Sequence, residues 1–485
     1  MPMRVAQYRL PLFVGLVVIA VIGVAVRISG IHPTRAPEAL EESPAVTEMA
    51  LFYEPTEPIP VTQPISESAP VLALVVAMPE AQVLGNAGKT EFLLQIIEIA
   101  SKYTRVVVLV NRDEPGAIQR IRELLEQRAN EPAAVLERLR FQSTVIDTEW
   151  VRDYGPLFAL GVDGKLVLLD NMYRDIRSEA ATDRMLADIG FTKTGDQLGG
   201  LRADANIGGG HETYLSDYGY FWRYNDDAAP LYFNEVLYIQ RGQYASLVRS
   251  PLQLSGGDVT FTTSRDMFTS TRTLELNGGD EKRFSRLANE YFGAEEVHYL
   301  RPLPRGMWHI DMFFKIAGPK TFMIGTFTNG MPSGNGPLDV LTREANEVLE
   351  WNRAYIQERF PEVQVVTVPM PPIVQARIHT QTNLGKTGIG DLDDAIKTAG
   401  ARLKPASSVL YRSYLNSVFI NGGSSPSAVL VPRFSGLEEE ERQAETAYRQ
   451  AFVGADIHFV DADAMVQEFG GIHCVTVTIP DTNAG

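Results

Sequence analysis

Phe469-Gly470-Gly471-Ile472-His473-Cys474-Val475-Thr476, continuing as Val477-Thr478-Ile479, contains the only cysteine in 485 residues. The two glycines permit a tight turn or a close approach of the backbone to a ligand. The β-branched run after them predicts a strand from Cys474 to Ile479 that would hold the sulfur still. Two readings follow from these residues: a nucleophile presented on a fixed strand, or a buried structural thiol, since free cysteine is among the most buried residue types. A single cysteine cannot form an internal disulfide, so the fold is not a stapled secreted scaffold.

A reactive thiol needs a base or an electropositive setting. Suitable groups lie upstream in Met307-Trp308-His309-Ile310-Asp311-Met312-Phe313-Phe314. Read as a strand, this stretch puts His309 and Asp311 on one face, with Ile310 and Met312 on the other. An imidazole and a carboxylate among apolar neighbours are costly to bury without a task or a partner; a satisfied core histidine is the alternative. Trp150-Val151-Arg152-Asp153-Tyr154-Gly155-Pro156 combines an aromatic, a cation, a carboxylate and a rigid turn. It is either a functional loop or a surface turn. Ser255-Gly256-Gly257-Asp258-Val259-Thr260-Phe261 sets a glycine pair before a carboxylate, with Asp258 facing a ligand or bonding its own turn. Gly85-Asn86-Ala87-Gly88-Lys89-Thr90 has the setting of a phosphate loop but not its spacing, because Val83 stands where the first glycine is required. A helix-capping turn is the better reading.

Composition bounds the rest. With 45% hydrophobic and 21% charged residues the chain is globular, and its formal charge of −16 argues against nucleic acid as a partner and favours a cationic small molecule or basic peptide. The seven histidines are scattered, with neither an HExxH nor a CxxC pattern to support a zinc site. Arg4 and Arg9 precede an apolar run from Leu10 to Val26, which predicts a signal anchor or signal peptide over residues 1–30, membrane contact there, and a catalytic body that is membrane-anchored or exported. Residues 31–70 hold eight prolines and several glutamates and read as an extended tether. The folded body is expected over 71–485. It opens as strand (Val71 to Met78), helix (Thr90 to Tyr103), strand (Arg105 to Val110) and helix (Pro115 to Arg128). Between Tyr220 and Leu276 the pattern is strand-rich without a helix, which fits poorly with a plain doubly wound sheet. A Gly- and Asp-rich segment from Leu384 to Lys404 reads as an insertion.

Five stretches in this order, WVRDYGP (Trp150 to Pro156), SGGDVTF (Ser255 to Phe261), HIDMF (His309 to Phe313), SYLNS (Ser413 to Ser417) and GGIHCVT (Gly470 to Thr476), resemble the agmatine deiminase and bacterial-type peptidylarginine deiminase family of the guanidino-group-modifying superfamily. The resemblance runs from about Val71 to Pro480. It implies an α/β fold, a five-bladed propeller of pseudo-fivefold ββαβ repeats with a central active site. Residue by residue it implies Cys474 as the nucleophile of a covalent thiouronium intermediate, His309 as general acid and base, and Asp153 and Asp311 as the carboxylates that grip the guanidinium. Trp150, Arg152, Asp258 and Asn416 are expected around the substrate, with Trp150 and Phe313 walling the pocket. No metal or organic cofactor is implied.

The expected activity is deimination of agmatine, giving N-carbamoylputrescine for putrescine biosynthesis, or of peptidyl-arginine, giving citrulline, with release of ammonia. Amidino transfer to an amine and a catalytically silent propeller that binds guanidinium or protein ligands are the alternatives. Ser255 departs from the glutamate that many agmatine deiminases carry before the paired glycines, so substrate choice turns on that position. Self-association into an oligomer is left open.

Overall fold

The computed structural model describes residues 55–482 apart from 113, 115, 174–223, 242–243, 306, 328–335, 379–405 and 424–426. The first strand, β1 (Val61–Pro64), lies inside the expected tether, so the folded body begins earlier than the Pro-rich composition indicates. It pairs antiparallel at the edge of its sheet, the position where proline is tolerated. Next come β2 (Val71–Ala77), α1 (Ala87–Ala100), β3 (Arg105–Asn111), α2 (Ala117–Arg128), α3 (Pro132–Arg138) and β4 (Leu139–Thr144). The capping reading of the Gly85 to Thr90 stretch holds: the Asn86 side chain accepts from the amides of Gly88 and Lys89 at the start of α1. In α2, Ala117, Ile121 and Leu125 are buried at four-residue spacing, the stripe that sets this helix on the sheet.

The chain continues as α4 (Val151–Tyr154), β5 (Leu157–Gly161), β6 (Leu166–Met172), α5 (Tyr224–Arg241), β7 (Ser246–Gln253), β8 (Val259–Phe261), β9 (Asp266–Ser270), α6 (Thr271–Leu276), α7 (Glu281–Phe292) and β10 (Glu296–Leu300). Helices α5 and α6 correct the helix-free reading of 220–276. In α5, Pro230 and several aromatic side chains mask the helical period. After these come β11 (Phe314–Gly318), β12 (Thr321–Thr326), α8 (Gly336–Arg359), β13 (Gln364–Pro369), β14 (Val374–Ile378), β15 (Ala406–Leu410), β16 (Val418–Ile420), β17 (Ala428–Arg433), α9 (Glu438–Ala451), β18 (Asp456–Asp461), α10 (Asp463–Val466) and β19 (Thr476–Pro480). The Leu384 to Lys404 segment and the Leu10 to Val26 run fall outside the described residues. Among the described residues no helix is long and apolar enough to cross a membrane.

Five sheets share one connectivity: an antiparallel pair, then a parallel neighbour. They are β5-β6-β7, β8-β9-β10, β11-β12-β13, β16-β17-β18 and β19-β2-β3. In each the parallel step is a helical crossover, as parallel pairing requires. The fifth unit joins the ends of the body, with Thr476 opposite Val76 and Ile479 opposite Ala73. Strands such as Leu74 to Ala77 and Val106 to Val110 are buried on both faces and read as unbroken apolar runs, the signature of parallel strands covered on both sides.

Candidate active site

The five motif stretches occupy one equivalent place in the repeat: each lies just ahead of the first strand of its unit. Helix α4, with Arg152 and Asp153, precedes β5; a 3-10 turn Gly256–Asp258 precedes β8; another, Ile310–Met312, precedes β11. The Ser413 to Ser417 loop precedes β16, and the turn His473–Val475 precedes β19. Cys474 is therefore in a turn one step before the strand that was expected to carry it. His309 likewise caps a turn and Asp311 lies within it, where a strand was expected. Turns release the backbone from sheet geometry, so each side chain can be aimed at a shared point.

These turns bring the thiol, an imidazole and two carboxylates together. Sγ of Cys474 is 3.9 Å from Oδ2 of Asp311. His309 Nδ1 is 3.8 Å from Oδ1 of Asp153. Gly257 shows how close the packing is: a Cβ there would lie 2.7 Å from His309 Nδ1 and 3.1 Å from Asp311 Oδ2, so only glycine lets the imidazole and the second carboxylate converge. Asp153 is fixed by the hydroxyls of Tyr173 (3.0 Å) and Ser255 (3.3 Å). Burial pushes the Cys474 thiol well above its ordinary value, and the charges of Asp311 and Asp153 push it further.

Several of the expected substrate contacts have protein partners. Asn416 donates to Sγ of Cys474 at 3.1 Å, and its carbonyl accepts from the backbone N–H of His473 at 3.0 Å, so it holds the cysteine turn. Gly471 passes close enough to Asn416 that a Cβ would be 2.6 Å from its Oδ1. Arg152 donates through Nε to the carbonyl of Thr476 (3.0 Å) and through Nη1 to Glu67 (2.6 Å). Asp258 is wholly buried. It accepts from the hydroxyl of Ser270 (2.7 Å) and from the hydroxyls of Thr269 and Thr273, while its other oxygen accepts from the Ile310 amide at 3.1 Å. Trp150 packs its ring against Gly470. Phe313, expected on the pocket wall, is fully buried, in the same core cluster as Phe268, Phe314 and Phe322.

Two charged networks escape a motif reading. Glu67, inside the expected tether, contacts Nε2 of His473 (2.9 Å), Arg152 (2.6 Å) and Lys315 (3.9 Å). Burial alone would raise its carboxyl, but Arg152 and His473 outweigh that and hold it well below the usual carboxylate range. His473 Nδ1 bonds Asp311 Oδ2 at 2.8 Å, so the network reaches a site carboxylate through one imidazole. The second network centres on buried Lys89 of α1. Its ammonium bridges Glu149 (2.6 Å), next to Trp150, and Glu468 (2.5 Å), next to Phe469. One lysine thus ties the Asp153 stretch to the Cys474 stretch. The signal for Lys89 lay in a loop rejected as a nucleotide site. Glu67 had none, since its partners are remote in sequence.

A model of the Porphyromonas-type peptidyl-arginine deiminase family matches residues 64–480. The chain belongs to that family. Membership places it among the enzymes that hydrolyse carbon–nitrogen bonds of guanidino groups. An agmatine deiminase of Stutzerimonas stutzeri is 22% identical over 351 residues, 71% of this chain and 77% of that protein. Two solved structures share the fold of this family member. The agmatine deiminase of Enterococcus faecalis matches at TM-score 0.58 and 15% identity, covering 88% of this chain and 100% of that one. The agmatine deiminase of C. jejuni matches at TM-score 0.52 and 15% identity, covering 86% and 95%.

Proposed function

We propose that the chain is a deiminase in which Cys474 attacks the guanidinium carbon of a substrate held by Asp153 and Asp311. One observation carries this reading: three stretches remote in sequence bring the sole thiol within 3.9 Å of Asp311 and Asp153 within 3.8 Å of His309, with His309 and Asp311 meeting over Gly257. A planar guanidinium is the cation that two opposed carboxylates grip through its N–H fork. Its charge offsets the field that keeps the Cys474 proton in place, so the thiolate forms when substrate is bound and not before.

In the first half-reaction the sulfur bonds to the guanidinium carbon, and the thiol proton passes by way of His309 to the departing nitrogen. Ammonia leaves, and the carbon stays on sulfur as a thiouronium. In the second, water gives a proton to His309 and its oxygen bonds to the carbon. The carbon–sulfur bond breaks as the carbonyl forms, the sulfur takes the proton held by His309, the second water proton passes to solvent, and a neutral ureido product is released. Glu67, Arg152, Asp258 and Asn416 act through the groups they position.

The five ββαβ units with motifs at equivalent places favour a five-bladed propeller around this centre. The substrate is agmatine or an arginyl peptide. Ser255, which puts a neutral hydroxyl against Asp153 where many agmatine deiminases carry a carboxylate, removes one anionic group from the site. The Leu10 to Val26 run with Arg4 and Arg9 before it supports an anchored or exported body. Incubation with agmatine, arginine and an arginyl peptide, read by ammonia release and by mass spectrometry of the ureido product, tests the assignment. Turnover of at least one that is lost in Cys474→Ala supports it; no turnover of any sinks it.

A further inference from the structure

We propose that Asp266, Glu296 and His298 form a binding site for one divalent transition-metal cation, on the β9-β10 pair and apart from the guanidinium site. The parallel register places Asp266 directly beside Glu296 and Met267 beside Val297. Residues two apart on a strand share a face, so His298 joins the two carboxylates on one side of the pair. The three donor atoms all lie within 4.8 Å of one another.

The imidazole points to a ligand. His298 is 2% exposed, yet its Nε2 has no hydrogen-bond partner. Leaving a buried polar atom unpaired is costly. Nε2 stands 3.7 Å from Oδ1 of Asp266 and 3.9 Å from Oε2 of Glu296. A charged hydrogen bond from an imidazolium would close to about 2.7–2.9 Å, so neither distance is that of a direct hydrogen bond. Two ligands each about 2.1 Å from one ion stand about 3.4 Å apart at a tetrahedral angle and about 4.2 Å apart when opposed. Both observed separations fall between those limits.

The surroundings prepare the donors. Nδ1 of His298 lies 3.0 Å from the Tyr355 hydroxyl. With the ring proton on that nitrogen and donated to the hydroxyl oxygen, the Nε2 lone pair faces the carboxylates; a second ring hydrogen bond of this kind fixes the tautomer and orientation of a metal-binding histidine. The Thr262 hydroxyl donates to Oδ2 of Asp266 at 2.7 Å, which turns Oδ1 toward the imidazole. Glu296 is exposed and leaves a path of entry for the ion and room for water as further ligands. One nitrogen and two carboxylate oxygens suit Zn2+ and its neighbours better than Ca2+, which takes an all-oxygen shell.

The test uses full-length Cys474→Ala protein stripped with a chelator, so that the one thiol cannot compete for the metal. Zn2+ is titrated by calorimetry, Co2+ by visible absorption, and thermal unfolding is followed with and without Zn2+. The expected result is one equivalent bound, with a rise in unfolding temperature. His298→Gln and Asp266→Asn abolish both effects, exposed Glu296→Gln weakens binding at least about tenfold, and Thr262→Val weakens it by about 10–100-fold. Absence of saturable binding, or unchanged affinity in Glu296→Gln or in folded His298→Gln, overturns the proposal. Deiminase turnover is not a readout, so the outcome is independent of the activity assigned above.

Discussion

Oε1 of Glu67 stands 2.9 Å from Nε2 of His473, across a separation of 406 positions. The other ring nitrogen of His473 bonds Asp311, so a residue near the start of the described chain helps to aim a carboxylate of the site. The same glutamate is the counter-charge of Arg152 and lies 3.9 Å from buried Lys315, whose own ammonium burial drives below its ordinary value.

Glu67→Gln keeps the shape and removes the charge. Arg152 and Lys315 then lose their shared anion, and His473 no longer fixes Asp311. Breaking a buried pair costs about 3–5 kcal/mol, and the low end is expected here because Glu67 keeps a quarter of its side-chain surface exposed. Denaturant unfolding should show that loss, and kcat should fall with it. Unchanged stability and kcat would mean that the network is ornamental.

Replacing Lys89 tests the tie between the two stretches. Burial would lower its ammonium, but Glu149 and Glu468 more than reverse this, so the lysine is charged. Lys89→Met leaves Glu149 buried without its cation and should cost about 3–5 kcal/mol. Lys89→Arg should restore part of both stability and kcat. If Lys89→Met unfolds like the parent, the pair contributes nothing.

The pH profile carries the mark of Asp258. Burial pushes this carboxyl up to about 6, against the pull of His309 and of the hydroxyls that bond it. Above that value it is ionised and accepts from the Ile310 amide, which seats the His309 turn. As pH falls through about 6 it protonates, so kcat should decline over that range. Stability should move the other way. With a folded value above the ordinary ~3.9, the folded state binds more protons between about pH 4 and 6, so stability from this group is greatest at low pH and is lost as pH rises through 6. Asp258→Asn should flatten both trends; a persistent kcat transition near 6 in that variant would assign it elsewhere.

Alkylation should discriminate by charge. Because burial and two carboxylates keep Cys474 protonated, neutral iodoacetamide should react slowly at pH 7 and faster as pH rises. A cationic haloacetamidine, which pairs with Asp153 and Asp311 while presenting its carbon to sulfur, should inactivate much faster at pH 7. Equal rates would remove the argument that a guanidinium promotes thiolate formation.

The acid–base assignment predicts that His309→Ala lowers kcat by about 10²–10⁴. Asp153→Asn and Asp311→Asn should raise KM as well, since each gives up a charged grip on the substrate. Full kcat in His309→Ala, measured by ammonia release, would exclude this imidazole as the proton carrier.

The sequence by itself determined the parts whose signal is local. Apolar runs of strand length marked β2 and β3, and Asn86 ahead of an apolar helical stripe marked the start of α1. The five motif stretches named the thiol, the imidazole and the carboxylates, because each stretch is short and continuous. Local signals also misled: Pro230 and the aromatic side chains hid α5, and alternating polarity from His309 to Met312 looked like a strand where a 3-10 turn stands.

Only the tertiary structure decided which side chains meet. Glu67 and His473, Lys89 and Glu468, and Asp266 and His298 become neighbours through strand pairing and packing, and no spacing in the chain encodes those distances. The physical reason is that the fold buries charge in partnerships drawn from separate elements, where each member alone reads as an ordinary surface residue. Contacts between the stretches, Asn416 with Cys474, Cys474 with Asp311 and His309 with Asp153, gather side chains that are scattered along the sequence.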